Sequence, residues 1–245
     1  MDLEALAFAA HADDAELSCG GTLAKLAELG HRTGIVVLTR GEAATRGSAA
    51  IRAREFAAAA KILGLAAREM LDIPDGRVEV TWENKIKIIR VLRAHRPRIV
   101  LAPYWVDRHP DHEQTSRLVR EAAYLAGLKK IETGAPPFRP YKIIYYQTRF
   151  DFRPSFIVDV SGTHDRKMKA VRAYGSQFHH PGRRASGNEE TLVGRPEFLE
   201  MIEARDRHNG ARIGVRYGEP FLVREALQVA DPVEFFGPEY LWTIP

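Results

Sequence analysis

The chain has 245 residues, 45% hydrophobic and 28% charged, with 36 Lys and Arg against 32 Asp and Glu for a net charge of +4. Apolar content of this order with nearly balanced charge excludes disordered, collagen-like and low-complexity classes, and it suffices for one ordinary domain over residues 1–245. No window approaches the roughly 18 apolar residues of a bilayer span, Met1-Asp2-Leu3-Glu4 is acidic where a signal peptide is basic, and Cys19 stands alone, so no membrane partner, no disulfide and a cytoplasmic location are expected.

In chain order, Leu6 to Ala9 reads as a buried strand, Ala15 to Leu29 as a helix ended by Gly30, and Ile35 to Leu38 as a second strand. A Gly-bearing loop, Thr39 to Ser48, leads to a helix from Ala49 to Leu63 stopped by Gly64. Met70 to Ile73 is a weaker strand before the turn Pro74-Asp75-Gly76, Trp82 to His95 is helical, and Ile99 to Ala102 is the next strand. A helix follows Asp111 through Ala126, then a connection with Pro136, Pro137 and Pro140, strands at Lys142 to Gln147 and Phe156 to Val160, and helices at Asp165 to Tyr174 and Pro196 to Arg207. The long polar segment Gln177 to Gly194 reads as a functional or disordered loop. The alternation predicts an α/β fold, a Rossmann-like, mostly parallel sheet with helices on both faces and a smaller C-terminal extension.

Such sheets place ligands at the carboxyl ends of their strands. There the first strand is followed by His11-Ala12-Asp13-Asp14-Ala15-Glu16, and the fourth by Asp107-Arg108-His109-Pro110-Asp111-His112. Each cluster carries metal-ligand residue types at i and i+3 where a helix begins, and both project from the same sheet edge. The natural set is His11, Asp14 and His112 around one Zn²⁺ with a position left open to water; mixed imidazole and carboxylate donors also suit Fe²⁺ or Co²⁺. Zinc lowers the pKa of its water to about 7, Asp13 is left over to take the proton, and a protonated His109 held by Asp111 can donate to a developing oxyanion. Taken singly, Asp13-Asp14 and Pro110-Asp111 also read as ordinary helix starts. Their coincidence at matching strand ends favours the metal.

Other features carry less. His31, His95, His164 and His208 read as solvated, and His179-His180 is too close in sequence to chelate but lies in the polar loop, where it can meet substrate. Gly20-Gly21-Thr22 lies inside a helix rather than in the turn before it, which suits close packing and not a dinucleotide fingerprint. The basic stretches Arg46 to Arg54 and Arg166 to Arg172 are short and interrupted, as on solvated helix faces, so no nucleic-acid partner is expected. A basic nucleic-acid-binding module with structural His and Asp clusters is the competing non-enzymatic reading.

Ala10 to Glu16, Gly20-Gly21-Thr22, Leu38-Thr39-Arg40-Gly41-Glu42 and Arg108 to His112 together resemble the LmbE-like, or PIG-L-like, zinc-dependent N-acetylglucosamine deacetylases, with Ala12 where many relatives have Pro. Thr45-Arg46-Gly47, Arg52, Pro74-Asp75, Tyr174 to Phe178 and Gly214 to Phe221 resemble the bacillithiol biosynthesis deacetylases, BshB type, within that family. The resemblance implies His11, Asp14 and His112 as zinc ligands, Asp13 as general base and then acid, His109 with Asp111 as the oxyanion-stabilising pair, and Arg52 and Arg139 as substrate contacts. It implies removal of acetate from a small amino-sugar conjugate, first N-acetylglucosaminyl-L-malate, and alternatively a chitooligosaccharide, a mycothiol precursor or an antibiotic intermediate. It also implies a homo-oligomer, in which Phe235, Phe236, Tyr240 and Trp242 either pack on a neighbour or dock on the chain's own core.

Overall fold

The computed structural model describes residues 2–179 and 191–236. Its centre is β1 (Ala5–Ala9), buried along its whole length and parallel to β2 (Thr33–Val37) on one side and β4 (Ile99–Pro103) on the other. β3 (Ala67–Met70) extends the sheet beyond β2, and β5 (Lys142–Tyr146) beyond β4, both parallel. β7 (Gly218–Leu222) runs antiparallel to β5, and β6 (Phe156–Asp159) closes the edge antiparallel to β7, giving the order β3-β2-β1-β4-β5-β7-β6.

Alternating side chains of β1 divide the core. Ala7 and Ala9 face a cluster with Leu23, Phe56, Val171 and Tyr174, under α1 (Asp14–Glu28), α2 (Ala49–Leu63), α5 (His164–Arg172) and α6 (Pro196–Ala211). Leu6 and Phe8 face a second cluster with Ile88, Leu92, Leu118 and Ala122, under α3 (Trp82–His95) and α4 (Pro110–Ala126). The expected α/β architecture with helices on both faces is therefore the observed one, with the short helix α7 (Pro232–Phe236) in the C-terminal extension. Burial on both faces is what makes β1 a continuous apolar run. Gly64, at φ 76°, adopts the left-handed conformation that ends α2.

Two strands depart from the sequence reading. β3 lies at Ala67–Met70 rather than at Met70 to Ile73, because a partly exposed edge strand needs no apolar run. β7 lies where the sequence reading placed no strand, and it contains Pro220, a residue that interior strands disfavour. The sheet accommodates it because β5 pairs only with Phe221 and Leu222, so Pro220 faces Ile157 of β6 alone.

Positive charge also lies deeper than expected. Arg46 and Arg52, read as part of a solvated face, are buried, as is Lys167 in the second basic stretch. Lys167 Nζ lies 2.6 Å from Asp206 Oδ2 and 2.8 Å from Glu219 Oε1, with all three side chains shielded from solvent. Glu219 in turn accepts from the backbone N–H groups of Gly21 and Thr22, at 2.9 and 2.7 Å. Those groups are available because α1 breaks its helical dihedrals at Cys19 (φ −138°, ψ 16°), so a carboxylate from β7 caps the second half of the helix. A Cβ on Gly21 would come within 2.9 Å of Val160 Cβ and 3.0 Å of Glu219 Oε1, which explains the glycine as a close-packing residue. His164, expected in solvent, is buried beside this network, stacked on Tyr217 with ring centroids 3.6 Å apart and with Nε2 3.3 Å from Asp206 Oδ2.

Burial alone would raise the pKa of Asp206, but Lys167 and Arg205 hold it far below the carboxylate range. A depressed folded-state pKa contributes stability that is present above the unfolded value of about 3.9 and is lost as pH falls below it. Lys167→Met is therefore expected to cost about 3–5 kcal/mol in urea unfolding at pH 7, by leaving Glu219 buried without its cation and Asp206 with Arg205 alone, and the gap from wild type should narrow on acidification below about pH 4.

Candidate metal centre

The strand order reverses between β1 and β4: β2 and β3 lie on one side of β1, β4 and β5 on the other. This is the switch point at which α/β sheets open a crevice. The segments leaving the two strands start α1 and α4 there, and they line a cavity of about 840 Å³. Its walls include His11, Asp13, Asp14, Arg52, His109 and His112.

Asp14 is the meeting point. His11 Nδ1 lies 3.3 Å from its Oδ2 and His112 Nε2 3.3 Å from its Oδ1. One donor atom from each of the three residues falls within 4.8 Å of the other two. The second nitrogen of each imidazole faces another carboxylate: His11 Nε2 is 3.1 Å from Asp75 Oδ1 and 3.3 Å from Asp111 Oδ2, and His112 Nδ1 is 3.1 Å from Asp107 Oδ1. Outer carboxylates of this kind fix the tautomer and orientation of metal-binding histidines. Asp107 is itself held, accepting from His109 N at 2.8 Å and Arg149 N at 3.1 Å and bonding Thr148 Oγ1.

The electrostatics ask for positive charge at the centre of this group. Burial would lower the pKa of His11, yet Asp111, Asp14 and Asp75 keep it well above the ordinary histidine value, and Asp14 with Asp107 raises His112 to about 9 against its burial. Asp14 stays ionised despite burial because of His112 and His11. A divalent cation meets the same demand, so these donors fit one. His11, His109 and Asp111 form a second group with donor atoms in range. There Asp111 is already engaged, accepting from Gly76 N at 2.8 Å and Val78 N at 3.2 Å, which favours the set built on Asp14.

Asp13 has φ 111°, a left-handed conformation rare for a residue with a side chain. Burial raises its pKa to about 6 against the pull of Arg52. Arg52, expected to touch substrate, lines the cavity but is committed inward, with Nη1 donating to Asp13 Oδ2 at 3.4 Å and Nη2 to Ala12 O. His109 also differs in detail from expectation. Its Nδ1 accepts from the backbone N–H of Asp111 at 3.2 Å, which leaves the ring proton on Nε2. Burial, with His11 and His112 adding to it, lowers its pKa and favours the neutral ring as donor, whereas the Asp111 carboxylate contacts His11 and favours the charged form of His109 only electrostatically.

Arg139 is not brought to this site. It donates from Nη2 to Tyr124 O and stacks on the Tyr124 ring, near the C-terminal end of α4, whereas the candidate ligands gather at that helix's N-terminal end. His95 pairs with Glu69 rather than standing in solvent, and His208 is exposed on the cavity lining. Of the polar loop, Gln177, Leu192 and Val193 line the cavity, while His180 lies outside the described residues. Phe235 is 58% exposed; Tyr240 and Trp242 lie outside the described residues. No helix among the described residues is long and apolar enough to cross a membrane.

Sequence reading missed Asp107 and Asp75 as supports for the histidines. The available signal was the placement of Asp107 at the head of the second motif. Asp107→Asn is expected to lower zinc affinity about 10–100-fold in competition with a chromogenic chelator.

The family model of PIG-L, GlcNAc-PI de-N-acetylase, matches residues 6–123. A diacetylchitobiose deacetylase of Thermococcus kodakarensis is 33% identical over 183 residues, covering 69% of this chain and 67% of the relative. A 4-oxalmesaconate hydratase of Pseudomonas putida is 30% identical over 199 residues, covering 71% and 74%. Among solved structures, conserved protein TT1542 of Thermus thermophilus is 42% identical, with a TM-score of 0.84 over 93% of this chain and 97% of that one. The chain belongs to the PIG-L, LmbE-like deacetylase family and is an enzyme of its hydrolase class.

Proposed function

We propose that the protein is a zinc-dependent deacetylase of an N-acetylated amino sugar, with a short N-acetylglucosamine oligosaccharide of the diacetylchitobiose kind as its first substrate class. The observation that carries the reading is the convergence of His11, Asp14 and His112 on one point, with the leftover carboxylate of Asp13 beside it in a cavity. The Thermococcus relative supports the oligosaccharide at least as strongly as the motif resemblance supports a malate conjugate. N-acetylglucosaminyl-L-malate is the second reading, favoured by the exposed Arg108 and Arg149 on the cavity lining, since guanidinium groups match carboxylates.

In this reading His11, Asp14 and His112 hold the metal. A zinc ion there supplies Lewis acidity and makes water acidic enough to ionise near pH 7. Asp13 takes the proton of the attacking water and returns it to the departing nitrogen, a role suited to a buried carboxyl with a pKa of about 6. His109 donates its Nε2 proton in a hydrogen bond to the oxygen that becomes negative in the transition state. Asp107, Asp75 and Asp111 hold the ligand histidines in register.

Acetate release by zinc-loaded enzyme from N,N′-diacetylchitobiose, N-acetylglucosaminyl-L-malate and N-acetylglucosamine, measured side by side, tests the substrate class. The expected order places diacetylchitobiose first. Preference for the malate conjugate would reverse the two readings, and no release from any of them, with hydration of an unsaturated carboxylate instead, would overturn both. Asp13→Ala is expected to lower kcat about 10²–10⁴-fold and His109→Ala about 10²–10³-fold, each with bound zinc retained; wild-type turnover in either variant contradicts the role given to it.

A further inference from the structure

Behind Asp13 lies a chain of buried groups that none of the roles above uses. Arg52 is held between α1 and the ring of Tyr174, its guanidinium carbon 5.7 Å from the ring centroid. The Tyr174 hydroxyl donates to Glu16 Oε1 at 2.6 Å, and Glu16 and Tyr174 are both shielded completely from solvent. Glu16 returns the chain to α1, less than one turn beyond Asp13. Three separate parts of the sequence thus close a loop around one strained residue. Neither Tyr174 nor Glu16 lines the cavity among the described residues.

The arrangement has a physical logic. A left-handed Asp13 persists only where its surroundings over-determine it. Arg52 supplies two of the constraints, one on the carbonyl of Ala12 and one on the Asp13 carboxylate. Arg52 has its own freedom to lose, and the Tyr174 ring removes it from one side. A phenol that donates a hydrogen bond carries more electron density in its ring, which strengthens its attraction for a guanidinium on its face.

We propose that Tyr174 and Glu16 are positioning residues for Asp13, acting through Arg52; the proposal rests on the reading of Asp13 as the proton carrier. Tyr174→Phe keeps the ring and removes the hydroxyl that Glu16 orients. On diacetylchitobiose, or on the best substrate found, it is expected to lower kcat at least about 2-fold and by less than the roughly 30-fold that losing a whole desolvated cation–π contact would cost, with KM and zinc content unchanged. In an Asp13→Ala background the same substitution should add less than about a twofold loss, because residues that act as one unit are not additive. Glu16→Leu should reproduce the kcat loss, and Glu16→Gln, which keeps an acceptor for the hydroxyl, should recover most of it; this pair carries the test if Tyr174→Phe does not fold.

Unchanged kcat in Tyr174→Phe overturns the proposal, as does a loss accompanied by loss of zinc or of equal size in both backgrounds. In the last case Asp13→Ala is itself impaired, so the base assignment survives while the positioning chain fails. Wild-type turnover in Asp13→Ala removes the base assignment and the proposal together.

Discussion

The site depends on the need of one buried carboxylate, that of Asp14, for positive charge. Two imidazoles from different strand ends converge on its two oxygens, and each is backed by a further carboxylate. Such a concentration of acidic groups is costly in a low-dielectric interior unless cationic charge sits among them. Protonated histidines can supply it, and a divalent cation supplies it while leaving the imidazoles neutral as ligands. The surrounding fold meets this demand. β1 and β4 are neighbours with opposite onward directions, so two helices begin at the same edge and deliver their first residues to one point.

A second tier of buried charge maintains the geometry. Glu219, held by Lys167, caps α1 just past its break at Cys19 and ties the helix that carries Asp13 and Asp14 to β7. Arg52 clamps the turn before that helix from α2. Several cations of the basic stretches therefore have an internal use: Lys167 and Arg52 neutralise buried carboxylates, which accounts for stretches that do not form a surface stripe.

Much of this was legible in the sequence, and the limits are instructive. The metal motifs could be read because ligand spacing is local and because an apolar run followed by a helix start fixes which sheet edge a cluster occupies. Identity and role parted where the partner was distant. Arg52, Arg46 and Lys167 looked solvated because nothing in their own neighbourhood announces Asp13, Gln177 or Asp206. Arg139 resembled a residue of the site mouth but packs on Tyr124, a contact set by the connection after α4. β7 carries no alternating apolar run, and its Pro220 is tolerated only because its neighbour β5 stops short of it. Asp75 reaches His11 from a turn that reads only as a turn.

The central claim is that the β1 and β4 ends hold a single catalytic metal. It is tested most directly by titrating metal-free protein with zinc while following acetate release from diacetylchitobiose. The account predicts no turnover without metal, a rise that reaches its limit at one equivalent per chain, and no such rise in His112→Ala over the same range. Full activity in the metal-free protein, or a zinc-dependent rise left intact by His112→Ala, would contradict it.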